Sequence, residues 1–314
     1  MIESQRLKIF YIIAAFIVFA VFFMGRKNIS EGYMTRCNSS GIIEDRRAVL
    51  SDCLFAAVMG DDDMTSDAGL EKAKILYDSG DLESAEREFL KVLANDPENP
   101  EASISLAEIY HDKGDFSKAE EYYGKIYGRY MSGDVLIDRV KNLARCGKGA
   151  EAKALLESRG NEDEDVLFYG ALLDLAENDS SDGIFYSESG KKHEEAILLI
   201  KEFLDSDTMV SKNEEYVAVK KAGLFMRIRE NDFAFLKLGK IEEDKKYRDL
   251  MVAYGKAYFL DGDYEKSEQY FFEALNLDGN NSEALIYLSE IFSISGRSED
   301  ARAFFSRYEA VGDI

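Results

Sequence analysis

Apolar and small residues recur along this chain at a fixed distance, most regularly from Arg248 to Asn281. Counting Arg248 as position 1, Gly255 falls at 8, Tyr258 at 11, Gly262 at 15, Tyr264 at 17, Ser267 at 20, Phe271 at 24 and Ala274 at 27. Starting again at Ser282 puts Ser289, Phe292, Gly296, Ser298, Ala301, Phe305 and Tyr308 at the same places without a gap. The period is 34 residues. Upstream, Ala73, Gly80, Leu82, Ala85, Phe89 and Pro97 keep these positions in a unit that begins near Ser66, and Ala107, Tyr110, Gly114, Phe116, Ala119 and Tyr123 keep them from Pro100. A looser unit from Gly133 retains Val140, Leu143, Gly147, Ala152 and Leu156, with Gly149 at position 17, where Leu82, Phe116 and Tyr264 stand in other units.

These units resemble the tetratricopeptide repeat (TPR), a helix-turn-helix unit with small residues at 8 and 20, aromatics at 11, 17 and 24, and glycine at 15. The resemblance covers residues 66–310 and implies an all-α fold, a TPR α-solenoid wound as a right-handed superhelix. About seven helical pairs are expected over 66–314, with the middle ones degenerate. Asp165–Glu177 and His193–Leu204 read as a fourth pair, separated by an insertion over 178–192 that carries Ile184, Phe185 and Tyr186 as a candidate binding loop. Residues Asn213–Arg229 and Asp232–Ile241 read as a fifth, with Gly223 near position 8 and Phe233 near 17.

The N-terminus breaks the pattern. Ile9–Met24 is sixteen residues without a charge, flanked by Arg6 and Lys8 before and Arg26 and Lys27 after. It reads as an uncleaved signal anchor, a single transmembrane helix within a segment 1–27, rather than a cleaved signal peptide. The flanking charge favours a cytoplasmic N-terminus with the repeats outside. Residues 28–65 then form a juxtamembrane spacer with one amphipathic helix over Ile42–Met59 and a solvated acidic run at Asp61–Asp63. Cys37 and Cys53 stand sixteen positions apart and could close a loop worth roughly 3 kcal/mol. The other reading is two unpaired thiols, one on an apolar face with Leu50, Leu54 and Val58.

The formal net charge is −22, and residues 1–60 are slightly positive, so the repeat region is about −24. So acidic a surface repels phosphate backbones, which disfavours a nucleic-acid partner. Two histidines lie far apart, and no metal-binding, phosphate-cradling or nucleophile motif occurs; catalytic residues, metal sites and cofactors are expected to be absent, and the chain is not read as an enzyme. Two prolines and no tryptophan suit an all-helical chain.

The resemblance implies that a protein or peptide partner binds a groove lined by the first helix of each repeat, chiefly at positions 2, 5, 9 and 12. Those places hold Leu70, Lys74 and Tyr77, then Ile104, Glu108 and His111, then Ile137, Lys141 and Ala144, and later Val252, Lys256 and Phe259. The clamp for C-terminal carboxylates known in one TPR subgroup is not matched, because Leu70, Asp134 and Asp138 stand where cations are needed. Phe304 and Phe305 on the last helix suggest an assembly surface at the C-terminal repeat. The expected function is a membrane-anchored scaffold or adaptor in an extracytoplasmic, periplasmic envelope assembly. The alternatives are a cytosol-facing client or precursor receptor and a holdase-like chaperone.

Overall fold

The computed structural model describes residues 30–312 apart from 32, 38–45, 60–61, 127–130, 160–162, 178–192, 207–210, 212 and 242–246. The chain divides into two units, Met1–Tyr130 and Met131–Ile314. The first holds α1 (Arg46–Met59), α2 (Asp62–Asp78), α3 (Leu82–Asn95), α4 (Pro100–Asp112) and α5 (Phe116–Tyr123). The second holds α6 (Gly133–Arg145), α7 (Gly149–Glu157), α8 (Glu164–Glu177), α9 (Glu194–Leu204), α10 (Glu214–Arg227), α11 (Asn231–Leu238), α12 (Arg248–Leu260), α13 (Tyr264–Leu277), α14 (Ser282–Ile294) and α15 (Ser298–Gly312). No strand occurs among the described residues.

One turn is used six times among the described residues. Gly80, Gly114, Gly147, Gly262 and Gly296 sit at φ of 72–81°, the left-handed region that glycine enters without steric cost. After each, the next amide closes back on a carbonyl five residues earlier, as from Asp81 to Leu76 and from Asp263 to Tyr258, at 2.8–3.0 Å. Where that next residue is Asp81, Asp115 or Asp263, its carboxylate also caps the following helix by accepting from an amide three residues on. The sixth turn puts a non-glycine there: Arg229 lies at φ 63°, and Glu230 donates to Phe225 O at 2.9 Å.

Arg229 therefore marks position 15 of the pair formed by α10 and α11. The register expected from Gly223 and Phe233 is corrected by one or two residues, giving Ala222 at 8, Phe225 at 11, Ala234 at 20 and Leu238 at 24, each at 0 % exposure. Two adjacent small residues, Ala222 and Gly223, made the choice ambiguous in the sequence alone.

Small residues serve close helix approach. Ser267 Oγ donates to Gly255 O at 2.8 Å, and Ser289 Oγ donates to Ala301 O at 3.0 Å, so positions 8 and 20 meet within one pair. Phe89, Phe271 and Phe292 are fully buried beside such contacts, each burial stabilising by about 1.5–3 kcal/mol.

The stretch expected to be a spacer is part of the first unit's packing. Helix α1 lies against α2, and Cys37 and Cys53 are bridged, with both residues buried in a cluster with Ile75. Asp62 and Asp63, expected in a solvated linker, belong to the first turn of α2. At the other end Phe304 is not the uncovered ring. It packs against Phe272 and Phe292, while Phe305 and Tyr308 are exposed. No helix among the described residues is long and apolar enough to cross a membrane. The anchor expected over 9–24 and the triplet Ile184, Phe185 and Tyr186 lie outside the described residues.

Candidate functional site

In the first unit, Leu70, Lys74, Tyr77, Ile104, Glu108 and His111 are all half-buried on α2 and α4. Lys74 lies 2.5 Å from Glu101 and 3.2 Å from Glu71. Burial opposes its charge, but the bonds to Glu101 and Glu71 outweigh that and hold it above the usual lysine range. Burial and the charges of Glu108 and Asp112 push the Tyr77 phenol up to about 12, so it stays neutral and bonds Glu108.

In the second unit the third-repeat positions are not open. Helix α11 of the same chain packs on α6 and α8. Ile137 and Ala144 are buried, and Lys141 Nζ stands 3.3 Å from Glu230 and over the ring of Tyr169. Tyr169 donates to the other Glu230 oxygen at 2.8 Å. Arg145 pairs with Asp232 and Asp261, its guanidinium 3.4 Å above the Phe235 ring. Lys141, expected to face a partner, instead pairs with Glu230 of the chain itself, and Ile137 is buried, where α11 packs on α6. Burial raises the Glu230 carboxyl above its ordinary value, with Lys141 opposing. Tyr169 is raised by burial and then by the Glu230 charge.

Further along, α10, α12 and α14 leave a cleft of about 610 Å³. From α12 it takes Val252 and Lys256, two of the candidate groove residues; Phe259 lies beyond it, half-buried against Tyr264 and Tyr287. From α10 it takes Tyr216, Val219, Gly223 and Met226. In the corrected register these are positions 2, 5, 9 and 12 of the repeat. A gapless overlay of 215–238 on 248–271 carries that signal, because Ala222, Phe225, Ala234 and Leu238 fall on Gly255, Tyr258, Ser267 and Phe271. At the mouth Lys256 pairs with Glu283, and Arg248 with Asp249 and Asp278. His111 and His193 are in different units; His193 bonds Asp165 at 2.7 Å and stacks on Phe168. No group of three or more His, Cys, Asp or Glu is placed to hold a metal among the described residues.

Tetratricopeptide repeat family models match residues 70–134 and 249–281. Those two stretches are tetratricopeptide repeats. They fall on α2 to α5 and on α12 and α13, with left-handed glycine turns at Gly80, Gly114 and Gly262. Such repeats are scaffolds for protein–protein interaction. No curated protein matches the sequence. Among solved structures, a TPR protein from Parabacteroides merdae is similar at 15 % identity, over 84 % of this chain and 99 % of that one, with a TM-score of 0.49. Pseudomonas aeruginosa pilF is similar at 18 % identity, over 73 % and 99 %, with a TM-score of 0.32. PilW, described as a type IV pilus biogenesis factor, is similar at 14 %, over 78 % and 93 %, at 0.29. At these scores the likenesses carry no functional argument.

Proposed function

We propose that this chain is a membrane-anchored TPR scaffold whose repeats face the extracytoplasmic, periplasmic side, where they bind segments of partner proteins in the groove of α10, α12 and α14 and join them in an envelope assembly. The observation that carries the compartment is the bridge between Cys37 and Cys53, buried at 0 % exposure where α1 packs on α2. Structural disulfides persist in oxidising compartments and are rare in the cytosol. The uncharged run at 9–24 supplies the anchor in this reading, and the exposed Phe305 and Tyr308 supply a surface for assembly through the C-terminal repeat.

Compartment and bridge are tested separately. Cys146, the remaining thiol, is replaced by serine, and a cysteine is placed at the exposed Glu299. A membrane-impermeant thiol reagent on intact cells labels this site if the repeats are outside. Labelling only after lysis overturns the compartment and favours the cytosol-facing receptor. Alkylation of the denatured Cys146→Ser chain before and after reduction reads the bridge. Free Cys37 and Cys53 without reductant would remove the observation the reading rests on.

A further inference from the structure

Helix-interior glycines in this fold have reasons that can be read from their neighbours. A Cβ on Gly255 would lie 2.7 Å from the Phe271 ring, so close packing requires the glycine. A Cβ on Gly223 would meet nothing within 4 Å. The same is true of Gly170, but Gly223 also lines the cleft between α10 and α12. Glycine weakens a helix interior, and no packing among the described residues offsets that here. What its missing side chain provides is room above the α10 backbone, at position 9 of the groove. Around that room stand Tyr216, Val219, Met226 and Val252, with Tyr216 40 % exposed although it is a large aromatic.

The charges at the mouth narrow the occupant. Lys256 and Arg248 are taken by carboxylates of the chain. Lys220 lies 5.4 Å from the Tyr216 ring, and no carboxylate is within ion-pair distance of it among the described residues. Glu215, Asp249 and Glu283 also line the cleft, which suits one incoming carboxylate and not a polyacidic segment.

We infer that this cleft docks a peptide segment of a partner protein bearing one large apolar side chain, seated over Gly223, and one carboxylate within reach of Lys220. The inference rests on the groove reading above and names its partner chemistry. The apolar anchor fills the space the glycine leaves, and the carboxylate fixes the direction in which the segment lies.

The probe is a phage-displayed library of random dodecapeptides, selected on the full chain in detergent. Recovered peptides are synthesised with a tryptophan and titrated by fluorescence, which the tryptophan-free protein leaves without background. The expected peptides carry a large apolar residue and a nearby Asp or Glu. They bind the Gly223→Leu chain about tenfold or more weakly, because leucine fills the cleft from below. Circular dichroism of Gly223→Leu at or above the wild-type Tm keeps loss of fold apart from loss of site. Lys220→Ala weakens acidic peptides about threefold or more and leaves their Asn- or Gln-substituted versions unchanged. Peptides that bind Gly223→Leu as well as wild type, or that are basic, overturn this inference and leave the scaffold reading to another surface. Recovery of no peptide above the blank overturns the groove reading as well.

Discussion

Replacing Gly255 by alanine sets two opposing effects against each other within one helix turn. Alanine favours the interior of α12 over glycine by about 1 kcal/mol. Against that, the new Cβ would lie 2.7–2.9 Å from three carbons of the Phe271 ring, which is fully buried and also packs on Tyr287. Overpacking of this kind costs about 1–3 kcal/mol, because the ring or the backbone must shift in a close-packed interior. Gly223→Ala is the matched control, since its Cβ meets nothing within 4 Å and only the propensity gain remains. Gly223→Ala is thus expected to stabilise by about 1 kcal/mol, and Gly255→Ala to fall short of it by about 1–3 kcal/mol. Urea unfolding followed by circular dichroism at 222 nm measures both. A Phe271→Leu change in the Gly255→Ala background should recover part of the loss through a favourable coupling energy. If Gly255→Ala stabilises as much as Gly223→Ala, close approach of positions 8 and 24 is not what holds these helices at their spacing.

Two further outcomes follow from particular residues. Arg229→Gly relieves a left-handed side-chain conformation at φ 63° and is expected to raise stability by about 1 kcal/mol, measured by the same urea unfolding; no gain would mean that arginine contacts offset the strain. Glu230 has a folded pKa raised above its ordinary 4.5, so its favourable contribution is present below that value and is lost as pH rises through the folded pKa. Wild type should therefore gain stability relative to Glu230→Gln as pH falls from 7 towards 4.5, read from paired unfolding midpoints; an advantage that grows with pH would contradict the burial argument.

The pairs with regular turns were legible because their signals are local. A left-handed glycine, a capping aspartate and small residues twelve positions apart all act within one 34-residue unit, so Gly80, Asp81, Ala73 and Ala85 declare their helices without reference to the rest of the chain. The degenerate pair was misplaced because Ala222 and Gly223 are both small, and only the backbone at Arg229 decides between them. The covering of α6 by α11 was out of reach altogether. It depends on Arg145 meeting Asp232 and the Phe235 ring, and on Lys141 meeting Glu230 just before α11, pairings between ordinary surface-type residues whose sequence context is that of any solvated helix face. By itself the sequence determined the repeat, its helices and its turns. Tertiary structure decided which of the repeat faces remain open, because a groove exists only where no other part of the chain comes back to fill it.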